Sequence, residues 1–175
     1  MQTKIDLCSQ ALLKIGEKAI AGFEDGSAAA EIARKSYDAV IDGMLCLHPW
    51  RFAMKKYALT KTDDGGFPIP ADALRVVSCG AARHEIMGNR IFADVPEIEI
   101  TAVAKCGPES FPPYFSAAAT TRLALEFCIP LTGNQNAFAI LNALFDNELR
   151  IAKFVDSSFG ANTSIGGFAL IDTRF

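Results

Sequence analysis

Cys8-Ser9-Gln10-Ala11-Leu12-Leu13-Lys14-Ile15-Gly16, then Phe23-Glu24-Asp25-Gly26-Ser27, then His48-Pro49-Trp50-Arg51-Phe52-Ala53: these strings punctuate the first fifty residues, and their order decides the fold. Ile5, Cys8, Ala11, Leu12 and Ile15 recur at helical spacing, so the first string belongs to an amphipathic helix over about 3–15. Thr3 caps its start, Asp6 suits the positive end of the dipole, and Gly16 fits the position just past its end. After the Asp25-Gly26-Ser27 turn, with Asp25 or Ser27 as cap, a second helix is expected over about 27–47. Its apolar stripe is Ala33, Tyr37, Val40, Ile41, Met44 and either Leu47 or Leu45. Pro49 disfavours helical geometry at His48 and ends it there. Trp50, the only tryptophan, and Phe52 then bury beside this αα-hairpin as structural anchors of its exit.

From about 57 to 105 the character changes to strands, read as one small antiparallel sheet inserted between helices. Tyr57-Ala58-Leu59-Thr60 is a short strand, and Leu74-Arg75-Val76-Val77-Ser78-Cys79 reads as a buried one. Gly88-Asn89 sits between His84-Glu85-Ile86-Met87 and Arg90-Ile91-Phe92-Ala93, the signature of a two-residue hairpin. Ile98, Ile100 and Val103 continue the sheet. Beyond a proline-rich elbow, a third helix over about 113–128 carries Phe115, Ala119, Leu123 and Phe127 inward, and Ile129-Pro130-Leu131-Thr132-Gly133 breaks it. A fourth, over about 134–155, carries Phe138, Leu141, Phe145, Leu149 and Ala152. The fold class is therefore α+β, mainly α: an antiparallel helical bundle over 1–156 with an inserted sheet, followed by an extended C-terminal arm over 157–175. That arm sets Phe159, Ile165, Phe168, Leu170, Ile171 and Phe175 among small polar residues, more large apolar groups than an unbound tail should carry. These six are the candidate docking residues.

Composition limits the function. At 175 residues and 50% apolar content the chain can bury one real core. A net charge of −3 argues against a dedicated nucleic-acid binder. No apolar run reaches the ~20 residues of a membrane span, and the opening residues do not read as a signal peptide. Cys8, Cys46, Cys79, Cys106 and Cys128 are scattered and odd in number, which reads as reduced, mostly buried thiols of a cytosolic protein.

Chemistry-bearing constellations are weak. Cys46 with His48, and Cys79 with His84, lack a second half at zinc-like spacing. Glu31, Asp38, Glu85, Glu97, Glu99 and Glu126 could in principle supply the two carboxyls of a glycosidase, but read as solvated surface acids. No G-x-S-x-G elbow or phosphate-binding loop occurs. No catalytic, cofactor-binding or metal-ligating residue is assigned, and no cofactor is expected.

Taken together and in order, the QALLKIG, F-x-DGS and HPWRFA strings resemble the head–tail adaptor (head-completion) proteins of tailed bacteriophages, similar to the tail accessory and tail tubular A proteins of short-tailed phages. Weaker echoes are Pro70-Ala71-Asp72-Ala73-Leu74-Arg75-Val76, the Gly88-Asn89-Arg90-Ile91 hairpin, Leu123-Ala124-Leu125-Glu126 and Pro130-Leu131-Thr132-Gly133, so the likeness spans residues 7 to about 155. The resemblance implies a structural virion protein at the head–tail junction, made in the bacterial host cytoplasm. About twelve copies would form a ring beneath the portal protein, extend the DNA channel and carry the tail nozzle or tube. Neighbouring copies would be partners, the arm would bind the portal, and double-stranded DNA would pass through the lumen without specific binding. No membrane is involved. A peptidoglycan-degrading, muramidase-like activity, attributed to a relative, is the alternative.

Overall fold

Thr3 and Asp6 close a reciprocal cap on α1 (Lys4–Lys14): the Thr3 hydroxyl accepts from the Asp6 amide at 3.1 Å, and the Asp6 carboxylate accepts from the Thr3 amide at 2.8 Å. The structure, a computed structural model, describes residues 2–158. Ser27 is the cap of α2 (Ala28–Cys46), accepting from the Ala30 amide at 3.1 Å, while Asp25 braces Ser27 from behind. Between the two C-terminal candidates of its stripe the structure selects Leu45, fully buried, over Leu47, 48% exposed. α2 ends at Cys46, within two residues of the position Pro49 dictates.

α3 (Pro113–Thr132) is longer than its sequence implies. It continues through Pro130 instead of breaking before it. The proline sits at an exposed position in the last turn, so the helix forgoes one amide-to-carbonyl bond there with little helix left beyond it to disrupt. Thr132 donates back to the Cys128 carbonyl at 2.6 Å, and the helix stops at Gly133, whose φ of +61° few other residues tolerate. Asn134 then caps α4 (Gln135–Ser158), accepting from the Ala137 amide at 3.0 Å. α3 is apolar nearly all round, as a central helix must be, and packs against α1, α2 and α4.

Between α2 and α3 lie six strands: β1 (Met54–Thr60), β2 (Phe67–Pro68), β3 (Ala73–Cys79), β4 (Glu85–Met87), β5 (Arg90–Phe92) and β6 (Glu97–Ala104). They form two antiparallel three-stranded sheets, ordered β1-β6-β3 and β2-β5-β4, where the sequence reading had one. The β4–β5 hairpin turns on Gly88 and Asn89 as expected, with Gly88 at φ +57°. β3 is a correction: it is not a buried strand but an edge, half exposed, with register shifts on both sides of Arg75 and Val76. Such irregularity discourages further strands from adding to the edge.

The apolar interior falls into two parts. One gathers the helices around Leu12, Tyr37, Leu45, Trp50, Phe115 and Phe127. The other lies within the insert around Leu59, Phe67, Ile91, Ile98 and Ile100. The architecture is thus α+β, with four α-helices and two small antiparallel sheets among the described residues. The arm proposed for 157–175 lies outside the described residues from Phe159 onward; Ser157 and Ser158 are the last turn of α4. No described helix is long and apolar enough to cross a membrane.

Candidate functional site

The exit of α2 is an aromatic junction. Trp50 is fully buried, and its indole N–H donates to the Met44 carbonyl at 2.9 Å, satisfying one of the helix's terminal acceptors. Phe115 meets Trp50 edge-on at 5.0 Å and Phe52 at 4.9 Å, and Phe111 meets Phe52 and Phe115 at 5.9 and 4.8 Å. Phe52 is only half-buried, at the rim of this cluster. The chain thus leaves the helices through a set of rings whose edge-to-face contacts fix its direction.

Asp156 secures the same junction and was missed in the sequence. Only 1% exposed, it accepts from the Arg51 amide at 3.2 Å through each oxygen and from the Tyr114 hydroxyl at 2.9 Å; His48 Nε2 lies 3.3 Å away. Burial, and then the bond to this carboxylate, push the Tyr114 hydroxyl up to about 12. A signal for it was present: Asp156 stands four residues beyond Ala152, so the inward stripe of α4 ends on a carboxylate that needs partners. One acid therefore ties the last turn of α4 to α3 and to the start of the insert, immediately before residues 159–175.

Several apolar surfaces remain open among the described residues. Ile86 and Met87, 46% and 53% exposed, form the tip of the β4–β5 hairpin. A groove of about 610 Å³ runs along α3, lined by Gln10, Lys14, Phe111, Ala117 and Thr120 among others. On α4, Phe138 is 38% exposed, so this member of the inward stripe lies outside the core, in the first turn of the helix, whereas Leu141 and Ala152 are buried. Ile140, Leu144, Ile151 and Phe154 present a second, unforeseen apolar stripe.

Four of the six acids weighed for hydrolysis are held in ion pairs. Glu31 pairs with Lys35 at 2.6 Å, Asp38 with Lys4 at 2.8 Å, Glu99 with Lys56 at 2.9 Å and Glu126 with Arg122 at 3.3 Å. Lys35 holds the Glu31 carboxyl below its ordinary range, opposite to what a general acid requires. Glu85 and Glu97 are exposed on strands. Among the described residues no three His, Cys, Asp or Glu side chains gather as a metal would need. His84 Nδ1 lies 2.9 Å from the Ala81 carbonyl.

Two buried groups make predictions about stability. The Tyr37 hydroxyl has no hydrogen-bond partner although the residue is 3% exposed. Tyr37→Phe removes that burden and should raise stability by up to about 1 kcal/mol in urea titrations; a loss of similar size would mean the hydroxyl is satisfied. The Cys8 thiol is pushed by burial from an ordinary 9.0 to about 12. Above pH ~9 the unfolded chain releases a proton that the folded chain retains. Its contribution is complete below 9.0 and is lost as pH climbs toward 12, and Tyr114 and Tyr57 act the same way from 10.0. Urea midpoints should therefore fall between pH 8.5 and about 10.5, and flat midpoints over that interval would contradict the buried thiol.

No protein-family model and no curated protein matches the chain.

Proposed function

We propose that this chain is a structural virion protein: a head-to-tail adaptor whose copies form a ring under the portal, extend the DNA channel and carry the tail. In this reading the four helices act as an antiparallel bundle that makes the ring wall, and residues 159–175 act as the arm that holds the portal. The observation that carries it is the ordered set of strings over residues 7 to about 155, from QALLKIG to Pro130-Leu131-Thr132-Gly133. The arrangement suits the role. An insert with its own apolar interior and an apolar tip at Ile86–Met87 gives the subunit a face distinct from its helices, and a closed ring needs two unlike faces per subunit. A net charge of −3 also suits a channel wall, since a basic lining would hold DNA through its phosphates.

Electron microscopy of the purified protein mixed with its cognate portal tests the proposal. A second ring stacked under the portal is the expected image; a bare portal beside well-folded protein rejects it. Removing residues 159–175 should abolish attachment while leaving thermal melting unchanged, and attachment that survives the truncation removes the arm from the account. Clearing of a peptidoglycan zymogram by the purified chain would point instead to the cell-wall hydrolase.

A further inference from the structure

The groove along α3 has a direction, and its near end lies beside the last described residue. Its floor is α3 and one wall is α1. Ser116 of α3 donates to Gln2, just before α1, at 2.8 Å, and Lys14 at the end of α1 donates to Thr121 at 2.5 Å. Only Gly133 and Asn134 separate α3 from α4, so α4 runs back along α3. Asp156 accordingly bonds to Tyr114, next to Pro113 of the groove, while Glu148 takes the Thr121 hydroxyl, next to Thr120 of the groove. Ser158, two residues past Asp156, is therefore at the Pro113 end. The Lys14–Glu148 ion pair, 3.6 Å apart, marks the far end.

The chemistry changes along this path. Phe111, Pro113 and Ala117 make the near part apolar, and Thr120 leads to Lys14 and Glu148, whose side chains are only partly covered. The residues after Ser158 change in the same order. Phe168 and Leu170 come first, then Asp172 and Arg174, the only charged side chains from 159 to 175. In an extended strand these four share one side. Phe168 to Asp172 would then span about 13 Å, against about 11 Å from Pro113 to Thr120 along α3. The ten residues from Ser158 to Phe168 can bridge up to about 33 Å, and Gly160, Gly166 and Gly167 suit a turn back toward the helices.

We propose that residues 159–175 dock on their own chain as a strap in this groove, with Phe168 and Leu170 over Ala117, Asp172 at Lys14 and Arg174 at Glu148. Length and starting point let the segment arrive, and its apolar and charged groups match the groove in the direction of arrival. Tethering makes weak affinity sufficient: a segment that binds at about 0.1 mM is held by a local concentration of roughly 1 mM. A strap of this kind opens at low free energy, before the helices unfold, so thermal melting does not report it. The inference goes beyond the ring reading, because it concerns the chain before any partner arrives.

Ala117→Cys puts a thiol at an exposed position on the groove floor of the full chain. Its alkylation by a small maleimide, followed at that residue by mass spectrometry, should be about tenfold slower than in the same chain carrying Phe168→Ser and Leu170→Ser. Asp172→Lys with Arg174→Glu should also speed it, by about threefold. Far-ultraviolet circular dichroism should be the same for all these chains. Under mild oxidation at low concentration, Ala117→Cys with Phe168→Cys should form a disulfide within one chain. Equal alkylation rates overturn the proposal. So does a cross-link that joins two chains, because a neighbour's segment would then fill the groove. The mixture contains no portal, so failure here leaves the ring reading standing, and a bare portal leaves the strap standing.

Discussion

Trp50→Ala should cost about 4 kcal/mol, the upper part of the range for emptying a buried aromatic site. The loss has three parts. The indole leaves a cavity among Met44, Phe52 and Phe115 that the neighbouring rings, already set edge-on, cannot collapse to fill. The Met44 carbonyl loses the shorter of its two donors at the end of α2 and keeps only the Leu47 amide at 3.2 Å. The edge-to-face contacts with Phe115 and His48 disappear as well. For a chain of this size the melting temperature should fall by roughly 10 °C, measured by far-ultraviolet circular dichroism because the variant lacks the only tryptophan. Trp50→Phe keeps ring contacts but not the hydrogen bond and should fall between. A cost below about 1 kcal/mol for the alanine variant would mean that the junction does not hold the helices to the insert.

Asp156→Ala should be nearly as damaging, at about 3 kcal/mol, for a different reason. The substitution creates little empty volume. It strands the Arg51 amide and takes from the Tyr114 hydroxyl its bond to the carboxylate, both directed at a site with almost no access to water. Tyr114→Phe is the control: it deletes one donor, leaves the carboxylate its other partners, and should cost only about 1 kcal/mol. Denaturant titrations of both variants decide the matter. Equal small effects would show that Asp156 reaches solvent and that the clamp carries no stability.

What the sequence reveals is whatever depends on a few neighbouring residues. The Thr3–Asp6 cap, the Ser27 start, the stop enforced by Pro49 and the Gly88-Asn89 hairpin are local chemistry, and each lies where its residues require. The inward faces of α1 to α3 follow from periodicity. Hidden from the sequence were features set by what packs where. Pro130 stays in α3 because its turn is exposed and nearly terminal, a fact of tertiary position. The Val76-Val77 pair of β3 promises burial, yet the strand is an irregular edge. Two sheets in place of one follow from β2 and the hairpin pairing with each other, away from β6. Among the interaction surfaces, the aromatic anchors at Trp50 and Phe52 could be named from composition alone. Asp156, four residues beyond Ala152, continues the inward stripe and was legible there, whereas the outer apolar residues of α4 could not be separated from ordinary surface without knowing which side of that helix meets α3.

The insert begins and ends at one place. Met54 at the head of β1 lies opposite Val103 near the tail of β6, so the whole excursion leaves the helices and returns through a single pair of adjacent strands. An inheritance pattern follows. The helices can be kept while the parts beyond that root that do not touch them, the β2-β5-β4 sheet above all, are lengthened, shortened or exchanged; β3 stays tied to α2 through Leu74 and through Arg75, which donates to the Cys46 carbonyl. Selection could refit what the insert touches without renegotiating the helical framework, and an engineer could graft a foreign module in place of that sheet.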